Sequence, residues 1–127
     1  MDKEILEERL ISFAVTIVEI IQSMPDEKGA NHLASQLLRS GTSPALNYSE
    51  AQSGESRKDF IHKIKIVLKE LRESNINLKI INRTKLYKYE EKIIFAMKES
   101  NELISIFVKS VKTAEANTNI NQNKKSN

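Results

Sequence analysis

Cysteine and tryptophan are absent from this 127-residue chain, and glycine and proline are nearly so, at three and two. Without cysteine there is no disulfide framework and no thiolate metal site. With so few helix breakers and an abundance of helix formers, the composition favours an all-α fold. Long hydrophobic runs are missing too: Thr16, Glu19 and Gln22 interrupt the most apolar segment, well short of the ~20 residues a membrane span needs. The opening Met-Asp-Lys-Glu lacks the basic and apolar regions of a signal peptide, so the expected location is cytoplasmic, away from the membrane. His32 and His62 have no i, i+4 histidine partner, and Gly29, Gly41 and Gly54 are isolated. No metal motif and no phosphate-binding glycine loop can be read, and no cofactor is expected.

Hydrophobic residues make up 39% of the chain, enough for one continuous core in a single domain. Charge divides unevenly behind a net +3: residues 1–54 carry four cations against eight anions, a balance of −4, while residues 55–127 carry sixteen against nine, a balance of +7. The chain has an acidic half and a basic half, which permits nucleic-acid binding or head-to-tail contact between copies. An ordinary solvated helix surface explains it as well.

Period and punctuation lay out four helices, read as an antiparallel up-down-up-down bundle over residues 1–113. The first spans about Lys3 to Met24, with Leu6, Leu10, Phe13, Ala14, Ile17, Ile20, Ile21 and Met24 on one broad apolar face, and Pro25 to Gly29 turns the chain. The second, about Ala30 to Gln52, is expected to bury Leu33, Leu37, Leu38, Ala45 and Tyr48, and to be kinked or locally unwound between Gly41 and Pro44. Ser56 with Asp59 resembles a capping box, and Phe60, Ile64, Val67, Leu71, Leu78 and Ile81 follow in heptad spacing broken at Ser74. A loop over Asn82 to Lys88 leads to the fourth helix, from about Glu90 to Thr113, with Ile93, Met97, Ile104, Phe107, Val108 and Val111 as its expected stripe. The Asn-rich remainder, residues 114–127, reads as a disordered polar tail.

Apolar residues also lie off these stripes: Ile11, Val15 and Val18 on the first helix, Ile66, Ile76 and Ile80 on the third, Phe95 and Ile106 on the fourth. Their clustering favours a subunit interface, although isolated surface hydrophobes are common. Arg39, Gly41, Pro44, Asn47 and Glu50 form a structural set at the kink, with Asn47 expected to satisfy carbonyls freed by Pro44. Candidate phosphate contacts are Lys58, Lys65, Lys69 and Arg72 on the third helix and Arg83, Lys85 and Lys88 beside Tyr87 and Tyr89 in the loop. Glu70, Glu73, Glu90 and Glu91 interleave with them, as on any solubilised surface. A Ser-His-Asp reading through Ser43 lacks an identifiable oxyanion hole, so a hydrolase ranks last and no catalytic residue is assigned.

The run Leu37-Leu38-Arg39-Ser40-Gly41-Thr42-Ser43 to Asn47, the segment Asp59-Phe60-Ile61-His62-Lys63 and the closing Ser110-Val111-Lys112-Thr113 resemble the small bacterial four-helix proteins encoded in intervening sequences of 23S rRNA genes. The resemblance implies a ring-like homo-oligomer, most simply a pentamer, in a family without an established reaction. Through related accessory proteins of diversity-generating retroelements it also implies RNA, or a nucleic-acid-processing protein such as a reverse transcriptase, as partner. Two function classes follow: a non-enzymatic scaffold that binds RNA or nucleoprotein, and a protein-binding adaptor that does not.

Overall fold

The structure is a computed structural model that describes residues 1–54 and 56–126, the stretch 120–126 by backbone alone. It contains four helices, α1 (Lys3–Gln22), α2 (Lys28–Gln52), α3 (Arg57–Arg83) and α4 (Glu90–Ser126), and no strand among the described residues. None of the helices searched is long and apolar enough to cross a membrane.

Local chemistry explains the boundaries. The Asp2 carboxylate accepts from the Glu4 amide at 2.9 Å, and the Ser56 hydroxyl accepts from the Asp59 amide at 3.1 Å, so α1 and α3 each begin with a side chain satisfying a free helix donor. At the other end of α3 the Leu86 amide donates to the Ile81 carbonyl and the Lys85 amide to that of Asn82. This paired closure, a Schellman motif, needs a left-handed residue, and Lys85 occupies it at φ 60°.

Each helix contributes one stripe to a shared core. Leu10, Phe13, Ile17 and Ile20 come from α1, Leu37 from α2, Ile64, Leu71, Leu78 and Ile81 from α3, and Ile93, Leu103 and Phe107 from α4. Burying each such side chain favours folding by roughly 1.5–3 kcal/mol. Tyr48 meets the Phe107 ring edge-on, with centroids 5.6 Å apart. α2 packs between α1 and α3, and α4 closes the circuit between α3 and α1. α1 and α3 lie diagonally opposite, with no Cα of one within 8 Å of the other. Ion pairs mark the registers: Glu19 with Lys92 and Arg9 with Glu99 between α1 and α4, Arg39 with Glu70 and Lys63 with Glu50 between α2 and α3, and Lys65 with Glu115 between α3 and α4.

Several expectations need correction. α2 runs unbroken through Gly41 and Pro44, so no local unwinding occurs there. Gly41 serves close approach instead: a Cβ on it would stand 2.7 Å from both Cγ1 and Cγ2 of Ile17, whose side chain fills that space. Asn47 is half-buried and donates to the Ser43 carbonyl at 3.0 Å and hydroxyl at 2.8 Å. It therefore links one turn of its own helix; the carbonyl that Pro44 leaves without an amide is that of Ser40, four residues back. Leu38 is exposed, because α2 turns Leu37 and Ser40 toward its neighbours.

α4 continues as helix beyond Thr113 to Ser126. Ala114 is buried, Glu115 pairs with Lys65 at 2.8 Å, and the Thr118 hydroxyl donates to the Ala114 carbonyl. Ala114 and Glu115 thus join the packed part of α4, in a stretch whose polar composition alone reads as unstructured.

Candidate nucleic-acid interface

The α3–α4 turn gathers cations around an aromatic pair. Arg83 is the last residue of α3, and the Schellman closure places Lys85 in the left-handed region, where glycine or asparagine is the easier occupant. Lys88 lies over the Tyr89 ring, its ammonium 5.1 Å from the centroid. Arg83, Lys85 and Lys88 are all exposed. Tyr87 is not available for stacking: it is 6% exposed, packed edge-on against Tyr89, and burial pushes its hydroxyl pKa above the ordinary tyrosine value. Tyr89, 52% exposed, is the ring that faces solvent.

An open groove of about 770 Å³ runs from this turn between α1 and α4, flanked by Tyr89 and by Phe95, itself 59% exposed. The Lys92–Glu19 pair crosses it, and the hydrogen bond to Glu19 raises the Lys92 pKa. Here cation, anion and apolar ring alternate, unlike the more uniformly positive turn.

The other basic candidates lie along α3. Lys58, Lys65, Lys69 and Arg72 are exposed, and Lys65 is already paired with Glu115. Of the acids that interleave with the basic residues in sequence, Glu90 and Glu91 stay exposed at the start of α4, beside the turn, whereas Glu70 and Glu73 turn away from the α3 line. Glu70 is 7% exposed and accepts from Arg39 Nη1 at 2.8 Å, while Glu73 accepts from Nη2 at 2.7 Å. Both acids turn toward α2, and together they raise the Arg39 pKa. The outer line of α3 is left with Lys58, His62, Lys65, Lys69, Arg72, Ile76, Ile80 and Arg83, positions that recur at helical spacing with no acid among them.

The apolar interface candidates divide. Ile11, Val15, Ile76, Ile80 and Phe95 are exposed, Val18 and Ile66 are half-buried, and Ile106 packs against the protein's own core. Exposed Ile5 and Leu46 were not singled out from sequence, although the angular position of Leu46, opposite the buried stripe of α2, carries a signal. No group of three or more potential metal ligands occurs among the described residues. Ser43 accepts from Asn47 on α2, while His62 and Asp59 stand exposed at the start of α3.

Residues 4–109 match the model of the 23S rRNA-intervening sequence proteins. The chain belongs to that family. A solved structure of a protein of unknown function from the S23 ribosomal protein family of Bacteroides thetaiotaomicron VPI-5482 is similar at 31% identity. Its TM-score is 0.78, over 88% of this chain and 99% of that one. No curated protein matches. The family match spans the start of α1 through the first half of α4, including the whole α3–α4 turn.

Proposed function

We propose that this family member is a non-enzymatic scaffold, an antiparallel bundle bent at Pro44 that associates with copies of itself, and that it holds RNA at the α3–α4 turn. The antiparallel arrangement is supported by contacts that join low residue numbers on one helix to high numbers on the next, as in Glu19–Lys92 with Arg9–Glu99. Bending is supported by Pro44, which gives the Ser40 carbonyl no amide partner.

The observation that carries the RNA reading is Lys85. A β-carbon-bearing residue in the left-handed region costs on the order of 1 kcal/mol relative to glycine, and strain of this kind concentrates where a side chain is used. Lys88 lies over the exposed Tyr89 ring, and Lys85 and Arg83 are exposed on the same turn, so phosphate contact and base stacking are offered within a few residues. No base-reading module accompanies them, so binding is electrostatic and weakly sequence-selective. Repetition of the turn in an oligomer, with five copies the expected number, raises avidity for one strand.

Lys85→Gly separates the two roles of the position. It should raise stability by about 1 kcal/mol while lowering affinity for a structured rRNA fragment, and Arg83→Ala with Lys85→Ala and Lys88→Ala should also flatten the dependence of log affinity on log salt. Absence of RNA binding by the assembled wild type at low salt defeats this reading and favours a protein-binding adaptor.

A further inference from the structure

Two faces of the protein point away from the core on diagonally opposite helices, and each carries charged side chains without an ion-pair partner among the described residues. On α1 the outward line reads Glu4, Glu8, Ile11, Val15. On α3 it reads Lys69, Arg72, Ile76, Ile80. At 100° per residue both quartets fall about opposite their own buried stripe, and each spans 12 residues from first to last. Each begins with two charges and ends with two branched aliphatics. The charges are opposite in sign, and the aliphatics are between 42% and 54% exposed.

We infer that the occupant of the α3 face is the α1 face of a second copy of this chain, with Glu4 and Glu8 beside Lys69 and Arg72, and Ile11 and Val15 on Ile76 and Ile80. The inference rests on the self-association proposed above and names its surfaces. Because α1 and α3 run in the same direction in an antiparallel four-helix order, a rotation about an axis along the bundle brings the two lines together without reversing either. Acids then meet bases at one end of the contact while the aliphatics meet at the other. The opposite alignment would set carboxylates on isoleucine and lysine on valine, leaving both sets of charges unmatched. Since the two faces differ, each copy has one of each to offer, and the contact repeats from copy to copy, forming a ring where the rotation between neighbours closes.

Charge reversal tests this in the full chain. Glu4→Lys with Glu8→Lys, and separately Lys69→Glu with Arg72→Glu, should each weaken association at least tenfold by sedimentation equilibrium. All four side chains are exposed, so helicity should be unchanged by circular dichroism. The chain carrying all four reversals should reassociate, because its faces are again complementary. Recovery in that chain, after loss in both parents, supports the contact. A wild type that stays monomeric at ~100 µM defeats self-association and this contact together. An assembled wild type whose reversals change nothing leaves self-association standing and overturns the contact. Loss in both parents without recovery shows that the faces meet something other than each other, which also overturns it.

Discussion

α2 meets its two neighbours by opposite means. Toward α1 the seam is dry and tight, with Gly41 leaving room for the branched end of Ile17, and Leu37 adjoining the shared core. Toward α3 the seam is pinned by polar groups. Buried Ser74 Oγ lies 3.0 Å from Ser40 Oγ and 2.9 Å from the Glu70 carbonyl, Asn77 approaches Ser40 from the next turn, and Arg39 reaches both Glu70 and Glu73. A second polar contact, Asn75 Nδ2 to Ser100 Oγ at 2.8 Å, ties the other side of α3 to α4. Dispersion and apolar burial pull helices together without choosing a register, whereas each buried hydrogen bond is satisfied at one register only. The dry seam thus supplies adhesion, and the polar seams hold α3 in place between α2 and α4.

The largest effect should come from the dry seam. Ile17→Ala removes a fully buried side chain and should cost about 2–5 kcal/mol in a chemical denaturation experiment. Gly41→Ala should cost about 1–3 kcal/mol, because Ile17 is packed on all sides and the helices must separate to admit a methyl group. The two changes share one space. The double variant should therefore be more stable than the sum of the single losses implies, and simple additivity would show that Gly41 is not where α1 approaches α2.

A smaller effect is expected at the rim of the polar seam. Arg39→Ala leaves Glu70, itself largely buried, without its cation, but Arg39 is mostly solvated. The loss should be about 1 kcal/mol, below what a fully buried pair would show. Pairing it with Glu70→Gln should recover part of that loss. If the two losses simply add, Arg39 acts through Glu73 alone and contributes little to the seam.

The difference between the seams also explains what sequence could tell. Stripes such as Leu10, Phe13, Ile17 and Ile20 are legible because burial follows helical phase, and Ser56 announces α3 because a hydroxyl before an apolar run is a local signal. Contacts across helices are not local. Gly41 reads as a kink residue until Ile17 is seen beside it, and Glu70 and Glu73 read as diluting a basic surface until Arg39 turns them inward. Ser74 interrupts the heptad of α3, a visible anomaly whose partner Ser40 lies 34 residues away. For the candidate RNA site, Arg83, Lys85 and Lys88 were legible as a cluster, whereas the burial of Tyr87 and the left-handed backbone of Lys85 emerge only in the fold.

The smallest effect is expected at the α1 end of the dry seam, and only at high pH. Burial, reinforced by the negative charges of Glu7 and then Asp2, raises the Tyr48 pKa above its ordinary value of about 10. The folded state thus keeps the phenolic proton at a pH where the unfolded chain has begun to release it. More protons bound in the folded state means that stability falls as pH rises. Tyr48's share of stability is fully present below about pH 10 and is lost as pH climbs through the raised folded value. Tyr87 shifts in the same direction, so the total slope belongs to more than one group. Tyr48→Phe isolates one of them. Urea midpoints measured from pH 8 to 11 should fall less steeply in the variant, with Tyr48 still edge-on to Phe107 in the wild type as the reason its ring cannot simply move out to ionise. Parallel slopes for the two proteins would mean that the hydroxyl reaches water in the folded state and that the seam is not dry at that end.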